Sequence, residues 1–182
     1  MTLALAWLRS RHLPAVAVLC LAIAVAGAVA ADTTLRLPGL SRSLPMPVVI
    51  VLIAGLVVTA PLLDRFGGLE ASMPRARLDR ALASGLACGL PVLACMPVSA
   101  SAAGRFPWSP LLALMTAGVL AVIALGPLGW LPPTVLGFAT VYIDFTYDEP
   151  IRSALDAAGL PVLAAALAVS AAAYAVLGPK NA

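Results

Sequence analysis

The stretch PVVIVLIAGLVVTAPLL, residues 47–63, holds no charged side chain and a single hydroxyl, Thr59. A strand of a membrane barrel alternates apolar and polar residues over about ten positions. This run does not alternate at all, so it reads as a helix. The rest of the chain agrees in character. Of 182 residues, 62% are hydrophobic and 10% are charged, against about 45–50% and about 25% in soluble domains. So apolar a chain cannot clothe itself for water, and its solvent must be largely lipid. Backbone groups find no water there, which leaves helices or closed barrels, and the continuous runs choose helices.

Six such runs fall at 13–30, 46–63, 81–98, 109–126, 128–143 and 159–178. The expected fold is an all-α integral membrane protein of about six transmembrane helices forming one domain. Most runs lie near the lower length limit for crossing about 30 Å of hydrocarbon. The fifth carries Pro132-Pro133, which would kink or break a helix unless they occupy its first turn. The first run, with Arg9 and Arg11 before it and "AVAAD" after it, also has the layout of a signal peptide. Five further spans make an uncleaved first helix the expectation.

Charge sets the orientation. The segment PLLDRFGGLEASMPRARLDRAL, residues 61–82, concentrates Arg65, Arg75, Arg77 and Arg80, four of the eleven Lys and Arg. With six alternating spans, one side receives Arg9, Arg11, these four and Lys180, seven in all, and the other receives Arg36, Arg42, Arg105 and Arg152, four in all. The excess belongs on the cytoplasmic side. Both termini and the 64–80 loop are therefore expected in the cytoplasm, and the acidic 144–158 loop outside. Pro74 suits the start of a helix running into the third span. The loop serves either as a topological anchor or as a docking surface for a soluble partner.

Several functions are disfavoured. No basic stripe interleaved with aromatics marks a nucleic-acid surface. The three cysteines, Cys20, Cys88 and Cys95, sit inside apolar runs with no CxxC pattern, and His12 is the only histidine. Cys88 and Cys95 are two turns apart, roughly 10 Å, too far for a disulfide within one helix. Neither a metal site nor a Ser/His hydrolase is expected. No GxxxxGK[ST] or GxSxG pattern occurs. The six runs hold no Asp, Glu, Lys, Arg or His, so no proton relay of the usual kind is evident. No cofactor is expected. Carboxylates gather only in the outer loop, as Asp144, Asp148, Glu149 and Asp156, beside Arg152. They form either a solvated loop with a short interfacial helix near 150–157, or a site using Asp144, Asp148 and Glu149 for a cation or for acid–base chemistry.

Small residues recur at four-residue spacing as Ala22, Ala26 and Ala30 and as Ala164, Ala168 and Ala172. This pattern lets helix backbones approach in lipid, either within this subunit or against another membrane chain. Trp7, Trp108, Trp130, Tyr142 and Tyr147 fall near run ends, where interfacial aromatics belong.

The layout, with Leu69-Glu70, Pro74, Arg75, Arg77 and Arg80 after the second run, WLPP at 130–133 and AYAVLGP at 173–179, resembles small multispan proteins of high-GC bacteria that accompany ABC-transporter ATPases. It is similar to one six-helix half of an ABC-2-type exporter. That resemblance implies residence in the bacterial inner membrane, a separate nucleotide-binding ATPase subunit as partner, and a second membrane subunit, identical or different. It also implies that Glu70, Arg75, Arg77 and Arg80 dock the ATPase, while the chain itself is not an enzyme. The rival expectations are a non-transporting accessory or assembly factor, and an intramembrane or lipid-modifying enzyme using the outer acidic loop.

Overall fold

The computed structural model describes residues 11–36, 42–63, 76–102, 106–147 and 149–179. Each of the six apolar runs is helical. The helices are α1 (Leu13–Val29), α2 (Met46–Val57) with its four-residue continuation α3 (Thr59–Leu62), α4 (Ala76–Ser101), α5 (Trp108–Leu125), α6 (Leu131–Thr146), the short α7 (Pro150–Ala158) and α8 (Leu160–Leu177). A 3-10 turn, Gly126–Leu128, follows α5. Among the described residues three helical stretches, Ala76–Ser101, Trp108–Leu128 and Leu160–Leu177, are long and apolar enough to cross a membrane. The other apolar helices are shorter.

Local chemistry sets most boundaries. α1, α2, α6, α7 and α8 each carry proline in the first two positions, where its fixed φ suits a helix start and its missing N–H has no partner to lose. The Pro132-Pro133 pair therefore opens α6, which begins at Leu131 rather than 128 and runs to Thr146 rather than 143. At the other ends, Gly126 stops α5 at φ 56° and Gly159 separates α7 from α8 at φ 83°, a region that glycine enters without steric cost. The second run is interrupted at Val58, which keeps helical φ and ψ of −58° and −30°. Pro61 cannot donate to the Val57 carbonyl, and the Thr59 hydroxyl donates to Leu56 O at 2.8 Å. α4 continues through Pro91 and Pro97 over 26 residues, about 39 Å at 1.5 Å per residue.

An all-helical chain leaves no room for strands in the sequence reading, yet a minimal ladder forms among the described residues. Thr34–Leu35 pairs antiparallel with Leu44–Pro45, Thr34 opposite Pro45. It draws the end of α1 to the start of α2.

α2 and α8 each pack against both α4 and α5, holding those two apart, while α1 lies on α4 and α2, and α6 lies on α5 and α2. Glycines mark the closest approaches: a Cβ on Gly118 would lie 2.9 Å from Val58 Cγ1, and one on Gly27 would lie 2.7 Å from Ile50 and Val98. Val51, Ala54, Cys95, Leu111, Met115 and Val119 fill the centre. Side-chain contacts fix the alternation of direction. The beginning of α4 meets the end of α8 through Arg80 and Val176, and the beginning of α5 meets α7 through Ser109 and Asp156.

Large apolar side chains cover the outside. On α6, Val135, Phe138 and Tyr142 are more than half exposed, as are Val18, Leu21, Val25 and Val29 on α1. Only 17% of the α8 window is buried. Ala164, Ala168 and Ala172 face outward, as do Ala22 and Ala26. Their spacing therefore does not serve packing within this subunit.

Candidate functional site

The end of the bundle bearing the arginine-rich connection is held by two cations that reach across it. Arg11, which precedes α1, has 0% exposure. Its Nη1 donates to the Tyr174 hydroxyl at 3.2 Å and to Pro61 O at 3.4 Å. The Tyr174 hydroxyl in turn donates to Leu62 O. Three segments thus meet on the last carbonyls of α3, groups with no partner inside their own helix. Arg80, one turn into α4, donates from Nε to Ala76 O at 3.2 Å and from Nη1 to Val176 O at 3.3 Å. A cation at the carboxyl end of α8 also complements the helix dipole.

Of the residues expected to dock a partner, Glu70 and Arg75 lie outside the described residues. Arg77 is exposed on the first turn of α4. Arg80 is half-buried and engaged with α8. The structure thus separates Arg77, available to a partner, from Arg80, which grips a neighbouring helix.

At the opposite end the acidic segment is ordered by its own charges. Asp144 belongs to the last turn of α6, not to a loop, and is 5% exposed. Its Oδ1 accepts the Ile151 amide at 2.7 Å, and its Oδ2 accepts the Arg152 amide at 3.1 Å. It is therefore the N-terminal cap of α7, supplied from another helix and aided by the dipole. Glu149, the residue at the ordinary cap position, has φ 59° and makes no capping side-chain bond. Its Oε2 pairs instead with Arg152 Nη1 at 3.3 Å. Arg152 also faces Asp156 at 3.9 Å, and Asp156 accepts the Ser109 hydroxyl. Asp148 lies outside the described residues. Asp156 and Ser109 belong to this network although neither figured among the expected site residues. Among the described residues, no three His, Cys, Asp or Glu side chains come together as a metal site would need.

Beside this network a small opening lies between α2, the start of α5 and the end of α6. Val48, Val51, Leu52, Pro110, Leu114 and Val141 supply apolar walls. Asp144, Phe145, Glu149 and Arg152 border its outer part.

No family model, curated protein or solved structure matches this chain.

Buried hydroxyls elsewhere are turned inward on their own helices. Thr59 donates to Leu56 O, Ser84 to Ala81 O and Ser170 to Leu167 O. None of these three bonds presents a polar group to the space between helices.

Proposed function

We propose that this chain is a multi-pass subunit of the bacterial cytoplasmic membrane, crossing it six times with both termini and the 64–80 loop in the cytoplasm. In this reading it is the membrane half of an ABC-type exporter, energised by a separate ATPase and paired with a second membrane subunit. It makes and breaks no covalent bond itself. The seven-to-four distribution of Lys and Arg supports the orientation.

One observation carries the coupling to a partner. Both stems of the arginine-rich connection are tied to the same short stretch of α8, Leu62 through Tyr174 and Arg80 through Val176. A protein docked on that connection would act directly on α8. This helix is also the least buried of the three membrane-length stretches, so it has the fewest contacts to break on moving. Glu70, Arg75 and Arg77 are the docking residues proposed. The outward alanines of α1 and α8 are the proposed contacts with the second membrane subunit.

The test is gentle detergent purification from the native membrane. An ATPase should accompany the chain, and Glu70→Lys combined with Arg75→Glu should release it while far-UV helicity is kept. Retention of the ATPase by that variant at moderate salt would remove the loop as docking site.

A second reading, a non-transporting accessory factor, is favoured by the apolar side chains that fill the centre of the bundle. Copurification with a transporter that keeps full activity after this chain is deleted would establish that alternative.

A further inference from the structure

Two arginines near the start of α4 carry charge that nothing described in the fold answers. Arg77 is exposed and makes no hydrogen bond or ion pair among the described residues. Arg80 follows at i+3, so the two Cβ atoms lie about 5–6 Å apart on one side of the helix. Arg80 donates to two neutral carbonyls, Ala76 O and Val176 O. A Cβ on Gly178 would lie 2.5 Å from its Nη1, so the guanidinium is seated against bare backbone at the end of α8. Its Nη2 makes no hydrogen bond among the described residues. Asp79, the acidic residue of this first turn, stands about 200° around the helix from Arg77 at 3.6 residues per turn.

The surface beside Arg77 suits hydrocarbon, not water. Ala81, Gly85 and Gly89 follow it at steps of four along α4, and a Cβ on Gly85 or Gly89 would meet nothing within 4 Å. Leu78 and Leu82 border this strip and are more than half exposed. From Arg77 to Gly89 the helix rises about 18 Å, close to half of the ~30 Å of hydrocarbon in a bilayer. Paired cations at the head of an open apolar strip one leaflet deep match a phosphate ester that carries an acyl chain. A free phosphate would use the arginines alone, and an acidic peptide would leave the strip uncovered. A zwitterionic lipid offers the same phosphate with a cation attached, which cancels the attraction.

We propose that Arg77 and Arg80 bind the phosphate of an anionic phospholipid, one acyl chain of which lies along Ala81, Gly85 and Gly89 beside Leu82. Guanidinium groups take phosphate oxygens in bidentate pairs, and both arginines keep donors for them. Binding of this kind requires neither an ATPase nor a given orientation in the membrane, so it stands apart from the exporter reading. Where an ATPase does dock, it and the headgroup meet at Arg77.

The experiment places the full chain in phosphatidylcholine nanodiscs with a small proportion of phosphatidylglycerol whose acyl chain is photoactivatable. Cross-linked peptides are then identified by mass spectrometry. Cross-linking should saturate and concentrate on residues 81–89. Unlabelled phosphatidylglycerol should compete, whereas added phosphatidylcholine, glycerol phosphate and inorganic phosphate should not. Arg77→Gln should weaken the apparent affinity about fivefold, as expected for one arginine near a membrane surface, and Arg77→Lys should restore most of it. Gly85→Leu, which fills the strip without altering charge, should weaken it as well. Equal competition by phosphatidylcholine would overturn the proposal and mark ordinary boundary lipid. Competition by inorganic phosphate would overturn it in favour of a free-anion site. Unchanged affinity in either Arg77→Gln or Gly85→Leu, or cross-links spread evenly over α1, α6 and α8, would overturn it too. The competition series runs on the unaltered protein, so it decides the matter even where a variant fails to fold.

Discussion

Replacing Tyr174 by phenylalanine removes one oxygen and leaves the ring in a site with 0% exposure. Packing is therefore preserved, and the cost isolates the hydroxyl. That hydroxyl accepts from the Arg11 guanidinium at 3.2 Å and donates to the neutral Leu62 carbonyl. A bond to a charged group contributes about 1.5–3 kcal/mol and a neutral one about 1 kcal/mol. At 3.2 Å the charged bond belongs at the low end of its range, so Tyr174→Phe should cost about 2.5 kcal/mol. In an Arg11→Leu background the charged bond is already absent, so the same change should cost about 1.5 kcal/mol less. The coupling between the two sites is then about 1.5 kcal/mol, well above the ~0.3–0.5 kcal/mol within which independent sites add. Reversible unfolding of the purified chain by dodecyl sulfate in mixed micelles, followed by far-UV circular dichroism, measures all four corners of the cycle. Additive costs would refute the view that Arg11 and Tyr174 act as one unit across the bundle end.

Other expectations follow from the same geometry. Asp144→Ala removes the cap of α7 at a cost of about 1–2 kcal/mol; exchange at the Ile151 and Arg152 amides should accelerate, with Asp144→Asn intermediate, and unchanged exchange would show that the cap contributes nothing. A Cβ on Gly129 would sit 2.6 Å from Val122 Cα and 2.7 Å from its nitrogen, whereas one on Gly89 meets nothing within 4 Å. Gly129→Ala should therefore destabilise by about 1–3 kcal/mol, and Gly89→Ala should stabilise by up to about 1 kcal/mol; dodecyl sulfate titrations giving both changes the same sign would deny the close approach at Gly129. A cysteine placed at Ser72 should react with membrane-impermeant thiol reagents only after cells are opened, and labelling from outside intact cells would invert the proposed orientation.

The amino-acid sequence alone determined that the six apolar runs are helical and, within a few residues, where they begin and end. Unbroken apolar composition, proline at helix starts and glycine at stops act through neighbouring atoms, so their effect survives without knowledge of the partner. Which face of each helix turns inward was not legible. With 62% hydrophobic residues, nearly every face is apolar, and the periodicity that marks a buried stripe in a water-soluble helix is lost. The alanines at 164, 168 and 172 are spaced for close packing, and only the packed bundle shows that they point outward. The work of the charged residues was equally hidden. Arg11 read as a member of a topological count, Arg80 as that and as a docking residue, and Asp144 as part of an outer loop or of a candidate site in it. Beside the Tyr174 hydroxyl on Arg11, the partners described are main-chain groups: Pro61 O is 50 positions from Arg11, and Val176 O is 96 positions from Arg80. Every residue carries such a carbonyl, so no residue type announces which one a distant guanidinium will find. That choice belongs to the tertiary structure, which brings separate helix ends together where water is scarce and leaves each unpaired backbone group in need of a donor or an acceptor.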